Sequence, residues 1–265
     1  FQDRPGLLDA LISDSSGRPA VVVAVTGLRG VGKSQLAAAC TRCRLEQRWR
    51  VVAWIDAEDR ARLLAGFDHL ADELGLRPEG QDSFESAMRV RHWLEADGSR
   101  CLLVFDNAIG PDMLRPFLPA AGNAQVVVTS SHQPVASLGI AVPVDIFRPE
   151  ESVAFLCERT GREDDHGARR VARELGPLPL ALAQAASVIA GQHLDYDTYL
   201  SRLSAIPVAS YLLRTEEDPY PRSSAEAIIL SLTTAEHGDP AGLGRLIMEA
   251  ASVLSAGGVS RALLA

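Results

Sequence analysis

Apolar and polar positions follow two rhythms along the chain, and the change between them marks its organisation. Up to about residue 147, short apolar runs recur at Val21–Thr26, Val51–Asp56, Cys101–Asp106, 125–129 and 140–144. Four of these runs are apolar almost without interruption, which predicts strands buried on both faces, as in a parallel sheet covered by helices. Between them the spacing lengthens to that of a helix. Over 59–74 the residues Leu63, Leu64, Phe67, Leu70, Ala71 and Leu74 share one face. Over 82–96 the stripe is Ala87, Val90, Trp93 and Leu94, opened by Asp82-x-x-Glu85 in the pattern of a capping box. Alternating strand and helix signals predict an α/β domain over residues 1–147, with helices on both faces of the sheet.

After residue 147 the strand signals stop. Pro149 opens a helix through Arg159, and a second helix around Ala168, Val171, Ala172 and Leu175 ends at Gly176-Pro177. Two more follow at 180–189 and 196–203, giving an all-α domain over 148–205. A connector over 206–222 precedes helical patterns at 223–235 and 243–254, the expected start of a further domain within 206–265. The chain opens without methionine and stops within a helical pattern at 259–265, so we expect it to be part of a longer protein. The longest apolar stretches, 20–28 and 178–190, fall short of the about 20 residues that a membrane helix needs. No signal peptide is legible, and the expectation is a cytoplasmic protein without a membrane partner.

Composition narrows the function. With 47% apolar and 23% charged residues the chain has the material for a core. A net charge of −8 argues against a general binder of nucleic acid or anionic membranes. Of 26 basic side chains, a single one is lysine, Lys33. It lies in Gly27-Leu28-Arg29-Gly30-Val31-Gly32-Lys33-Ser34, which fits G-x-x-x-x-G-K-[ST] at every specified position, between a strand signal and a helix signal. Glycines let backbone amides wrap a phosphate, and the following helix adds its free N–H groups. The backbone from Leu28, Arg29, Gly30, Val31 and Gly32 to Lys33, Ser34 and Gln35 is therefore the predicted cradle for ATP or ADP. Lys33 supplies a point charge to the β- and γ-phosphates, and Ser34 a hydroxyl for Mg2+. The run Cys101–Asp106 ends in an acid suited to the same Mg2+.

Fast hydrolysis needs more than this. Asn107 follows Asp106 where many P-loop ATPases carry a carboxylate; it can orient water but cannot take its proton at neutral pH. Strand 125–129 runs into Ser130-Ser131-His132 without an arginine. Arg29 is either a phosphate ligand or a solvated loop residue. Without an arginine finger such enzymes turn over at roughly 10⁻⁴ to 10⁻² s⁻¹, so slow turnover is expected.

Together these motifs resemble the NB-ARC group of STAND ATPases, the nucleotide-binding switches of apoptosome proteins, plant resistance proteins and multidomain bacterial regulators. Phe1-Gln2-Asp3-Arg4 with Leu7, Leu8 and Leu11 is similar to the family's leading F-x-G-R-x-x-x-L-x-x-L segment, with Asp3 in place of glycine. The likeness implies that Phe1 and Arg4 lie near the adenine. Residues 52–56 are similar to the family's second strand and 102–107 to its Mg2+ strand. Gly176-Pro177-Leu178-Pro179-Leu180-Ala181 resembles G-L-P-L-A, which implies that Pro179 and Leu180 approach the nucleotide. The family's third strand usually ends in T-S-R, whereas this chain reads Thr129-Ser130-Ser131; γ-phosphate sensing then falls to Thr129 and Arg29. The resemblance further implies a partial winged helix over about 223–265 and partners in other domains of the parent chain, with nucleotide-dependent self-association. The implied function is an ATP/ADP switch with slow Mg2+-dependent hydrolysis. A competent ATPase and a scaffold holding ADP permanently are the alternatives.

Other features read as structural. Leu36, Cys40 and Cys43 fall at i, i+4 and i+7, which puts both thiols in a buried helical stripe. Cys101 and Cys157 are isolated, and Trp54 and Trp93 sit in apolar patterns expected in the core.

Overall fold

The computed structural model describes Arg4 and residues 6–12, 21–77 and 82–205. The chain divides into two compact units, Phe1–Asp145 and Ile146–Ala265. Phe1, the connector and the expected partial winged helix lie outside the described residues.

The first unit runs α1 (Leu7–Ile12), β1 (Val21–Thr26), α2 (Lys33–Glu46), β2 (Val51–Asp56), α3 (Arg60–Glu73), α4 (Ser83–Asp97), β3 (Cys101–Asp106), α5 (Pro111–Leu114), β4 (Gln125–Ser130) and β5 (Ile140–Pro143). Short 3-10 turns at Arg115–Phe117 and Gln133–Leu138 complete it. All strand pairs are parallel, in the order β2-β3-β4-β1-β5. Helical crossovers make this possible, because parallel neighbours cannot be joined by a tight turn. β4 sits between β1 and β3, with Thr129 level with Val25 and Val128 level with Phe105.

The central strands carry the apolar runs that the sequence assigns to a two-sided core. Every residue of β4 and the first five of β3 are buried. The outer strands differ. Among the described residues β2 has a neighbour on one side alone, and its uninterrupted apolar run is buried only in part. Trp54 is 42% exposed there, which corrects the expectation that it belongs to the core. Trp93 is partly buried against the core, with the Arg50 guanidinium 4.9 Å over its ring.

Local chemistry sets the helix starts. The Asp59 side chain accepts from the Arg62 N–H at 2.9 Å to cap α3, and Asp82 accepts from the N–H groups of Phe84 and Glu85 to cap α4. Helix α3 buries Leu63, Phe67, Leu70 and Ala71, with Leu64 and Leu74 at the margin. Phe67 stands 5.8 Å from Phe105 and 5.4 Å from Phe117, centroid to centroid, and so joins helix, strand and turn.

The second unit contains α6 (Pro149–Thr160), α7 (Asp165–Leu175), α8 (Pro179–Gly191) and α9 (Tyr196–Ser204). Helix α7 stops at Gly176, whose φ of 75° favours glycine, and Pro177 follows. Asp164 and Asp195 cap α7 and α9 through the N–H groups of Gly167 and Thr198. No helix among the described residues is long and apolar enough to cross a membrane.

Because Phe67 is fully buried at a junction of three elements, Phe67→Ala is expected to cost about 3–5 kcal/mol of stability in a denaturant titration.

Candidate functional site

At the end of β1 the chain turns through residues 27–32 into α2, and glycine is required twice for different reasons. A Cβ on Gly27 would lie 2.1 Å from the Val144 carbonyl oxygen, so the wall of the loop leaves no room for one. Gly32 has nothing within 4 Å of its would-be Cβ, but its φ is 95°. There glycine serves the backbone turn and keeps the mouth of the helix open. Gly32 is also the N-cap of α2, without a side-chain cap bond. The N–H groups of the first turn therefore have no carbonyl within the helix and are suited to an anion.

Lys33 follows at once. Its ammonium donates to the carbonyls of Gly27 at 3.0 Å and Leu28 at 2.7 Å. The residue is 9% exposed. Burial lowers its pKa below the ordinary 10.5; the Asp106 carboxylate opposes that shift and the Arg29 guanidinium adds to it. The Ser34 hydroxyl donates to Asp106 Oδ1 at 2.8 Å. Thr129, fully buried in β4, donates to the same Oδ1 and accepts the Asn107 N–H at 3.0 Å. The ends of β3 and β4 and the start of α2 thus meet on one carboxylate.

The bend after Asp106 is fixed from β4. Asn107 has a φ of 62°, a left-handed conformation that asparagine tolerates better than most residues. The Ala108 N–H donates to the Thr129 carbonyl at 2.9 Å, and the Ser130 hydroxyl donates to the Ala108 carbonyl.

The donor set fits a Mg2+-nucleotide. A hydroxyl and a carboxylate are hard oxygen ligands, and Mg2+ usually takes one or two protein groups with phosphate and water. No group of three or more His, Cys, Asp or Glu side chains among the described residues is arranged to hold a metal by itself. Ser34 and Asp106 would hold the ion, and the loop amides with Lys33 would hold the phosphates.

The remaining predicted site residues are dispersed. Leu28, Arg29 and Gln35 are exposed, Gly30 is half-buried, and Val31 is buried. Arg4 donates to the Asp145 carbonyl at 2.8 Å. Pro179 and Leu180 open α8 in the second unit, where Leu180 is 38% exposed.

Sequence reasoning gave Asp56 no role. It lies level with Asp106 across β2 and β3, and its carboxylate accepts from Arg62 at 3.1 Å and from the Glu58 N–H at 2.9 Å. Its signal, an apolar run ending in Asp, is the one that identifies Asp106. The cysteine stripe needs a correction: Leu36 and Cys40 are buried, but Cys43 is half-buried, one turn past Cys40 and close to the exposed Leu45 and Glu46 at the end of α2. Burial pushes the Cys40 thiol up to about 11.

Known proteins are similar to this chain. The NB-ARC domain family matches residues 5–166. The chain is 30% identical over 191 residues to the regulatory protein AfsR of Streptomyces coelicolor, covering 67% of this chain and 19% of that one. It is 27% identical over 221 residues to a nucleotide-binding leucine-rich repeat (NLR)-like protein of Hyaloscypha variabilis, covering 73% and 22%. The chain thus spans about a fifth of the length of these curated relatives. Among solved structures, the Walker-type ATPase PABY2304 of Pyrococcus abyssi aligns with a TM-score of 0.53 at 15% identity, over 92% of this chain and 78% of that one. Cdc6p of Pyrobaculum aerophilum aligns with a TM-score of 0.55 at 14% identity, over 71% and 61%. At such identities these two likenesses show the fold alone.

Thr129→Val keeps the shape of the residue but strips Asn107 N–H and Asp106 of a buried partner. We expect it to cost about 1–3 kcal/mol, read as a lowered melting temperature.

Proposed function

The chain belongs to the NB-ARC family, and on that premise we propose that it is an ATP/ADP-binding regulatory switch in a larger multidomain protein, hydrolysing ATP slowly with Mg2+. The observation that carries this reading is the meeting of Ser34 and Thr129 on Asp106 beside the loop that holds Lys33. In it, Lys33 neutralises the β- and γ-phosphates, Ser34 and Asp106 hold Mg2+, and Asn107 orients water. Thr129 and Arg29 respond to the γ-phosphate, and Arg4 stands on the nucleoside side. Phe1, Pro179 and Leu180 rest on the family resemblance alone. The names of the relatives, a regulatory protein and an NLR-like protein, support regulation over metabolism.

A switch has a quantitative requirement. Moving a two-state equilibrium from 1:99 to 99:1 takes about 5.5 kcal/mol of differential binding. Tight binding of ATP and ADP alike would shift nothing; the γ-phosphate has to supply the difference. A second reading, a scaffold that holds ADP permanently, is favoured by Asn107, whose amide cannot act as a general base. Exchange of bound ADP for a labelled analogue separates the two: exchange supports a switch, and none supports the scaffold.

The purified chain is expected to carry ADP or ATP, or to gain about 2.7 kcal/mol of stability when nucleotide is added at a hundred times its Kd. A chain with neither nucleotide nor a thermal shift contradicts the reading. Steady-state hydrolysis should stay below about 1 s⁻¹ without a partner.

Lys33 threads a slim ammonium between two loop carbonyls at 2.7 and 3.0 Å. A planar guanidinium does not fit that geometry. Lys33→Arg should therefore weaken nucleotide binding nearly as much as Lys33→Ala, by isothermal titration.

A further inference from the structure

Among the described residues, one buried cation lies outside the site. Arg44, in the last turn of α2, is 6% exposed. Its Nε donates to Gln125 Oε1 at 3.0 Å, Nη1 to Gln47 Oε1 at 2.9 Å, and Nη2 to the carbonyl of Ile12 at 2.9 Å. Its guanidinium also lies 4.2 Å over the Trp49 ring. Gln125, the first residue of β4 and itself 6% exposed, donates through Nε2 to the Leu11 carbonyl. The last carbonyls of α1 are thus bound by side chains from α2 and β4. Burying a guanidinium carries a desolvation penalty that an apolar residue of similar volume avoids. What the arginine adds is direction: a rigid fork of donors fixes where the end of α1 lies.

The other end of the same segment is fixed too. Arg4 donates to the Asp145 carbonyl at 2.8 Å. Asp145 follows Val144, whose N–H donates to the Thr26 carbonyl at 2.7 Å and whose own carbonyl closes against Gly27. The leading segment is therefore held at one end beside the first glycine of the phosphate loop. At the other it is held by the far end of the helix whose first turn carries Lys33 and Ser34, about 16 Å away along the axis. A nucleoside attached to phosphates in this loop has to extend past one of its walls, and Val144, Asp145 and Arg4 form a wall.

We infer that Arg44 and Gln125 are positioning residues that hold the leading segment against the nucleoside, so that they control recognition of the nucleoside and leave the phosphates to the loop. This deepens the proposed function and rests on its reading of the site as one that binds a nucleotide. Neither residue touches the nucleotide; both act through the carbonyls of Leu11 and Ile12.

The test compares a ligand that has a nucleoside with one that does not. The 265-residue chain and its variants Arg44→Lys and Gln125→Glu are titrated calorimetrically with Mg-ADP and with Mg-tripolyphosphate. Loss of one buried tether should weaken ADP about tenfold and change tripolyphosphate by less than about twofold. Gln125→Glu keeps an acceptor for Arg44 and replaces the donor to Leu11 with an anion that repels that carbonyl, so it reads the segment even where an Arg44 variant does not fold. Equal losses for both ligands, or no loss for either, would overturn the inference and leave a purely structural role. An unaltered chain that binds tripolyphosphate as tightly as ADP also overturns it. If the unaltered chain binds neither, the nucleotide-binding reading itself fails.

Discussion

A single carboxylate oxygen, Oδ1 of Asp106, receives hydroxyls from two different elements, Ser34 of α2 and Thr129 of β4. The sheet order makes this contact necessary. Because β4 is inserted between β1 and β3, the strand that leads into the phosphate loop and the strand that ends in the acid share no backbone hydrogen bonds. Side chains have to span the gap, and Thr129 does so from the intervening strand while also fixing Asn107. The start of α2, the acid and the Asn107 backbone are thus one hydrogen-bonded group. Such a group is rigid while every member is satisfied and costly when one is lost.

Lys33 shows the same economy in electrostatic form. Its burial works against its charge, and the loop carbonyls with Asp106 work for it. The balance leaves an ammonium held in place by neutral oxygens and one anion, an arrangement suited to a ligand that brings more negative charge. In a chain where every other basic residue is arginine, the one lysine occupies this confined position.

Much of this was legible along the chain because it is local. The phosphate loop is a contiguous pattern, and helix ends follow from caps such as Asp59 and from Gly176 before Pro177. The two-sided burial of β3 and β4 follows from their unbroken apolar runs. The misses have a common cause. Trp54 sits in a run as apolar as those of the central strands, and only the sheet order, set by partners far away in sequence, makes β2 an edge. Arg44 and Gln125 are 81 positions apart, and nothing near either one announces the other. Asp56 ends its run as Asp106 does, yet a phosphate loop singles out one of them through a hydroxyl 72 positions upstream. Period and composition report how a residue is buried, but not which distant group it meets.

Asn107 already stands in the left-handed region, held there by the hydrogen bond from its N–H to Thr129. Aspartate shares asparagine's tolerance for that conformation. The bend therefore does not dictate an amide; a carboxylate would occupy the same backbone without rearrangement. Whether this position can accept a proton is then a matter of the side chain alone, and not of the bend that carries it. A lineage using the fold can exchange an amide for an acid here and leave the architecture around it intact.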